Sequence, residues 1–393
     1  MKILVVCQHY WPEPYPLQDV CEELVRRGHE VDLITGGPNY PMGITYPEYK
    51  RGKNRRQQVG GVDIHRTFTI PRRKNVLFRF LNYYSFAWSS TRRAKKLRKE
   101  YDVVFANQTS PVMMASGALA YGKKHGKKVV LYCMDLWPAS LAAGGVGSGS
   151  PIYKFFDKVS RKIYRQAARI LITSEMFREY LRDELGIADE KIGYHPQYAD
   201  MDPVGPPPRK DTVDLMFAGN IGTAQSIPTI LKAAQRLRDR RELRWHILGD
   251  GSELERCRSM AREMELENVI FHGRRPAEEM PRYYALADAM LVTLTADKFI
   301  GLTLPGKVQT YMAAGKPVIA AAGGETARTI EKAGCGFCAP AEDDAALADV
   351  VRDFLICQDR ARLGKAAREY YEAHFSRRRF MDALERELQE HTT

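Results

Sequence analysis

Short apolar runs and helical stretches alternate along the whole chain. Ile3–Cys7 and Val31–Thr35 read as strands. Leu17–Arg27 between them reads as a helix with Val20, Leu24 and Val25 inward, closed by Gly28. Val103–Ala106, Val129–Tyr132 and Ile170–Thr173 continue the series. It resumes with Asp214–Ala218, Trp245–Leu248, Val269–His272, Met290–Leu294 and Val318–Ala322. Continuous apolar runs suit parallel strands covered on both faces. Their alternation with helices predicts an α/β fold with parallel sheets. After Cys338 the pattern is helical, over Ala345–Leu355, Arg360–Phe375 and Arg378–Glu390.

One segment breaks the alternation. Ala199–Thr212 carries Pro206, Pro207 and Pro208 in a row, which predicts a stiff, extended connector. The expected organisation is a domain over 1–200, a linker over 201–211 and a second domain over 212–376. Ligands of open parallel sheets bind beyond the carboxyl ends of the strands. That rule makes His9, Gly36, Asn107, Asp135 and Ser174 candidates in the first domain, with Glu13 in the loop after the first strand. A histidine or glutamate in such a loop is also commonly structural.

In the second domain, Gly219-Asn220-Ile221-Gly222 follows a strand and precedes a helix from about Ile227. Strand, glycine loop and helix form a phosphate-binding geometry. Gly249-Asp250-Gly251 and Gly273-Arg274-Arg275 follow the next two strands. The densest pattern is Asp297–Glu325. There Leu304 leads to Pro305 in the first turn of a helix. Val308, Tyr311 and Met312 make its apolar face, Gly315 its C-cap, and Pro317 prevents continuation. Gly306 would let an anion approach the helix start, and Lys307 adds a full positive charge. The alternative is a helix cap with a solvated lysine.

Composition narrows the partners. The 393 residues suffice for two domains, and 44% hydrophobic with 27% charged is an ordinary globular balance. No run of about 18 apolar residues predicts a membrane span. Met1-Lys2 leads directly into a strand-like run instead of a secretory leader, so a cytoplasmic protein is expected. Seven cysteines are scattered, and Cys335-x-x-Cys338 lacks the second ligand pair of a zinc site, so no metal is expected. The net charge of +12 points to an anionic partner. Lys50, Arg51, Lys53, Arg55 and Arg56 form one basic run. Arg72-Arg73-Lys74, then Arg92, Arg93, Lys95, Lys96, Arg98 and Lys99, flank VLFRFLNYYSFAW. Aromatic and aliphatic residues between cations suit an anionic membrane surface. An ordinary core helix with a solvated basic end is the alternative.

TLPGKVQTYMAAGKPVIA resembles the donor-binding segment of glycosyltransferase family 4. QHYWPEPYPLQDVCEELVRRGHEVDLIT, DLWPASL and GNIGTAQSI resemble the subgroup that builds bacterial capsule, O-antigen and exopolysaccharide. The motifs occur in order over nearly the whole chain. The resemblance implies two Rossmann-like domains facing a cleft (the GT-B fold), with the final helix, about 377–393, crossing back onto the first domain. It implies a retaining transferase that uses a nucleotide diphosphate sugar, UDP by family habit, without a metal or other cofactor. The acceptor would be lipid-linked, of undecaprenyl type, or a glycan, with the enzyme held peripherally at the inner face of the cell membrane. Carried onto this sequence, the donor site comprises Gly219–Gly222, Gly249, Gly251, Arg274, Leu304, Pro305, Gly306, Lys307 and Thr310. His9, Glu13 and Asn107 fall on the acceptor side. Asp135 and Lys307 are the catalytic candidates, Asp135 orienting an acceptor hydroxyl or stabilising a cationic sugar, or else capping a turn. The chain departs from the family at the two motif glutamates, which are Leu302 and Thr310 here. A nucleotide-sugar 2-epimerase of the same fold, a degenerate membrane-docking subunit and a nucleic-acid binder are the competing readings.

Overall fold

The computed structural model describes residues 1–73, 75–143, 145–208 and 211–392. Lys74 of the basic run, Gly144 of the run GGVGSGSP (144–151), and Arg209 and Lys210 of the proline-rich stretch lie outside the described residues. The chain divides into two compact units. Unit 1 is Met1–His195 with the residues from Met381 onward, and unit 2 is Pro196–Phe380.

Unit 1 is built on eight strands: β1 (Lys2–Val6), β2 (Glu30–Thr35), β3 (Arg56–Val59), β4 (Val62–Arg66), β5 (Val103–Gln108), β6 (Val129–Cys133), β7 (Arg169–Ile172) and β8 (Ile192–Tyr194). Their order is β3-β4-β2-β1-β5-β6-β7-β8. All pairs are parallel except the β3–β4 hairpin. Its two-residue turn is Gly60-Gly61, both at positive φ as a primed turn requires. The helices are α1 (Leu17–Arg26), α2 (Val76–Lys96), α3 (Ser116–His125), α4 (Ala139–Ala143), α5 (Pro151–Gln166) and α6 (Met176–Glu179). β5 and β6 are buried at every position, because helices cover both faces of the sheet.

Unit 2 has six parallel strands: β9 (Val213–Ala218), β10 (Leu243–Leu248), β11 (Val269–Gly273), β12 (Ala289–Thr293), β13 (Val318–Ala321) and β14 (Gly336–Ala339). Their order is β11-β10-β9-β12-β13-β14, which puts the switch of winding direction at β9. The helices are α7 (Ile227–Arg236), α8 (Leu254–Glu263), α9 (Met280–Leu286), α10 (Lys298–Gly301), α11 (Gly306–Ala313), α12 (Gly324–Ala333), α13 (Asp344–Ile356), α14 (Arg360–His374) and the start of α15 (Arg377–Glu390). One apolar layer, around Phe217, Trp245 and Phe354, lies on one face of the sheet. The other, around Met216, Tyr311 and Phe375, lies on the opposite face.

The proline-rich stretch read above as a connector belongs to unit 2. Val204 N–H donates to Ala314 O at 3.1 Å, and Met201 and Val204 pack on the core. The chain crosses between units at His195–Pro196 and returns at Phe380–Met381. Within unit 1 the end of α15 is tied by ion pairs, Arg27 to Asp382 (2.8 Å) and Glu385 (2.9 Å), and Arg169 to Glu387 (2.8 Å).

Candidate functional site

In unit 2 the switch at β9 assembles the glycine loops. β9 ends at Ala218, whose N–H and C=O both bond the buried Tyr311 hydroxyl, at 2.9 and 2.8 Å. Tyr311 lies on α11, so these two bonds fix the β9 terminus against that helix. Pro305 is the N-cap instead of sitting inside the first turn, and α11 begins at Gly306. Gly315, just past its end, has φ +71° and caps it.

Lys307 is the electrostatic anomaly of this region. Its Nζ is sealed from water and has no hydrogen-bond partner among the described residues. It rests 3.7 Å from the centroid of the Phe217 ring, a cation–π contact. Burial pushes its pKa down to about 7. A Cβ on Gly219 would lie 3.1 Å from this Nζ, so the glycine leaves the ammonium room. Pro305 provides no side-chain cap; Val308 N–H donates to Pro305 O at 2.9 Å, and the N–H groups of Gly306 and Lys307 are left for an external acceptor.

The glycine loop is more self-contained than its pattern predicts. Gly219 N–H donates to Leu248 O, Ile221 N–H to Asp250 O, and Gly222 N–H to Gln225 Oε1. The Ile221 side chain is fully buried in the core. Of these four residues, Asn220 keeps its backbone N–H without an acceptor among the described residues. Gly249 and Gly251 serve close packing of two loops. A Cβ at Gly249 would stand 1.8 Å from Gly219 O, and one at Gly251 would stand 2.3 Å from Ile221 O. These approaches were not legible as such; only the spacing of the glycines was.

A cleft of about 1020 Å³ opens above these loops, walled by Gly219, Asn220, Gly249–Gly251, Arg274–Ala277, Met280 and Tyr284. Arg274 is exposed in it. Leu304 is buried in the core below, and the Thr310 hydroxyl donates to Gly306 O at 3.1 Å.

In unit 1, two of the candidates, His9 and Glu13, hold each other. Glu13 Oε1 accepts the N–H groups of Asn39 (2.6 Å) and Tyr40 (2.7 Å), and its Oε2 meets His9 Nδ1 at 2.8 Å. His9 stacks on Tyr15 at 5.0 Å. With Nδ1 facing the Glu13 carboxylate, the Nε2 of His9 is left for a second partner. Asn107 is buried near the end of β5. Asp135 is half-buried after β6. Its Oδ1 accepts the Ser140 hydroxyl and its Oδ2 the Trp137 indole N–H at 3.2 Å. Burial raises its pKa against these hydrogen bonds. Asp135 therefore holds the turn that leads into α4. Burial pushes the Cys335 and Cys338 thiols up to about 12, far from a thiolate. Among the described residues no group of three His, Cys, Asp or Glu is placed to hold a metal ion.

Residues 17–201 match the family described as Glycosyltransferase Family 4, and residues 202–370 match Glycosyl transferases group 1. The chain belongs to these families and is a glycosyltransferase of GT-B fold, similar to enzymes of bacterial surface polysaccharide synthesis. The probable glycosyltransferase WbjE of Pseudomonas aeruginosa is 28% identical over 75% of this chain and 74% of its own. The putative colanic acid biosynthesis glycosyl transferase WcaI of Escherichia coli is 26% identical over 95% and 96%. The structure of Anabaena HepE in complex with UDP and glucose superposes with a TM-score of 0.70 at 15% identity, covering 99% of both chains.

Proposed function

We propose that this glycosyltransferase moves a sugar, with retention, from a nucleotide diphosphate donor, UDP-linked in the first instance, to a lipid-linked or glycan acceptor. The observation that carries the donor reading is Lys307, a sealed, unpartnered ammonium at a helix start beside Gly219. A lone buried cation is unfavourable until an anion joins it. The diphosphate would be that anion, with the first N–H groups of α11 and the Asn220 N–H completing its shell. The Lys307 stem is flexible enough to leave the Phe217 ring and reach it. The cleft along Gly249–Gly251 and Arg274 would take the nucleoside. HepE, solved with UDP and glucose, supports the choice of nucleotide.

The candidate carboxylates of unit 1 are already committed, Glu13 to loop N–H groups and Asp135 to its own turn. We therefore assign Asp135 a positioning role, with His9 Nε2 and Asn107 facing the acceptor. In the reaction the bond from the anomeric carbon to the phosphate oxygen breaks and the bond to the acceptor oxygen forms on the same face. The acceptor proton passes to the departing phosphate. The protein's part is positioning and stabilisation of the leaving charge. The exposed apolar and aromatic side chains of α2, Leu77, Leu81, Tyr84 and Trp88, support a reading in which the enzyme docks on an anionic membrane surface. No helix among the described residues is long and apolar enough to cross it.

A thermal-shift screen against UDP, GDP, ADP, CMP and their sugar conjugates tests the donor site. At a hundredfold excess over Kd a ligand adds about 2.7 kcal/mol, or roughly 5–10 °C. A shift with one diphosphate that disappears in Lys307→Ala is expected. No shift with any of them overturns the reading.

A further inference from the structure

Two helices of unit 1 expose stripes that change character along their length. On α2, Leu77, Leu81, Tyr84 and Trp88 recur at helical spacing and are 39–61% exposed. The same line continues through Thr91 to Lys95. On α5, Ile152 and Phe155 are exposed, and their line continues through Val159 and Lys162 to Gln166. Phe80 stacks on Phe156 at 5.8 Å near both N-termini, and Lys95 and Lys162 line one groove with α3 toward both C-termini, so the two helices run in the same direction. Their apolar halves meet at these rings, and their cationic halves border one groove together with α3.

The cationic halves open onto two adjoining grooves against α3, of about 880 and 810 Å³. Met113, Leu119, Val159 and Ile163 give apolar floor. Lys95, Lys123, Lys158, Arg161, Lys162 and Arg165 stand among the walls, and no aspartate or glutamate lines either groove. Arg161 pairs with Asp157 at 2.7 Å. Lys95, Lys123, Lys158, Lys162 and Arg165 have no carboxylate partner among the described residues. An apolar floor under cationic walls, continuous with exposed aliphatic and aromatic side chains, matches the boundary between phosphate and acyl chain. Nucleic acid would leave the aliphatic stripe in water.

We propose that this groove is a headgroup site for an anionic phospholipid, with lipid phosphate between Lys95, Lys123 and Lys162 and the first acyl carbons along Met113 and Ile163. It rests on the membrane docking inferred above and gives that docking a site and an orientation. The apolar halves of α2 and α5 enter the bilayer and their cationic halves lie at the headgroups.

Sedimentation with phosphatidylcholine vesicles, with and without phosphatidylglycerol, tests it. Each cation at an anionic surface is worth about fivefold in binding. The Lys123→Gln/Lys158→Gln/Lys162→Gln variant should lose about a hundredfold on phosphatidylglycerol vesicles while melting like wild type. Lys50→Gln/Arg51→Gln/Lys53→Gln removes the same charge elsewhere and should lose much less. Equal loss in both would show a net-charge effect and overturn the site. Wild-type binding by the groove variant, with binding lost in Leu81→Ser/Trp88→Ser, would remove the groove and leave the docking intact. Indifference of the wild type to these vesicles would remove both. Stronger retention on duplex DNA at the same salt, lost in the groove variant, would assign the groove to nucleic acid instead.

Discussion

A lysine ammonium sealed over a phenyl ring is an unstable resting state, and Lys307 stores that instability for its ligand. Its folded pKa, about 7, lies below the ordinary 10.5. The unfolded chain therefore holds more protons between those values, and stability rises with pH across that window. The penalty is complete below pH 7. Lys307→Met should remove it and raise the melting temperature of the free protein by several degrees, equivalent to about 1–3 kcal/mol, while abolishing the nucleotide shift. A lower melting temperature would mean that Lys307 is a structural residue. A bound diphosphate restores the charged form. Affinity for a sugar nucleotide should therefore be flat below pH 7 and fall by up to tenfold per unit above it, as calorimetry at several pH values would show. The Pro305-Gly306-Lys307 pattern made this residue legible as a charge at a helix start. Its seclusion was not legible, because Phe217 and Gly219 reach it only through the fold.

At the scale of elements, the buried strands were readable because parallel strands are continuous apolar runs. The β3–β4 hairpin was not, since Arg56–Val59 is polar and only partly buried; its signal was the Gly60-Gly61 pair. α5 was masked by the glycine-rich run before it, although Ser150 and Pro151 are a proper cap and first turn. The glycine loops were found but the hydrogen bonds between them were not, because such bonds leave no sequence trace. That distinction predicts different costs for similar changes. Gly249→Ala drives a Cβ into the Gly219 carbonyl at a φ of +136°, with only backbone to move. It should destabilise by at least about 2 kcal/mol. Gly222→Ala meets the end of the Asn220 side chain, which can rotate away, and should cost well under half of that. Equal denaturant midpoints for the two variants would refute the loop-packing role.

At the scale of the molecule, unit 1 depends on the end of the chain. Met381, Leu384 and Leu388 are buried, and each contributes about 1.5–3 kcal/mol. With the ion pairs of Arg27 and Arg169, their sum rivals the whole stability of a domain. Truncation after Phe380 should lower the melting of unit 1 below room temperature or abolish it. The nucleotide-induced shift of unit 2 should survive. Cooperative melting of unit 1 at its full-length temperature would show that the helix is dispensable.

The return of the chain also gives the two units different histories during synthesis. Unit 2 has its ends joined, with Ala199 bridged to Ser376 and bonded by the Tyr371 hydroxyl at 2.8 Å. It is complete as soon as it leaves the ribosome. Unit 1 emerges first yet waits while all of 196–380 is made, roughly ten to forty seconds at about 5–20 residues per second. For that interval the surface meant for Met381, Leu384 and Leu388 is bare. The nascent first half is thus a natural client for a chaperone, and unit 2 is not.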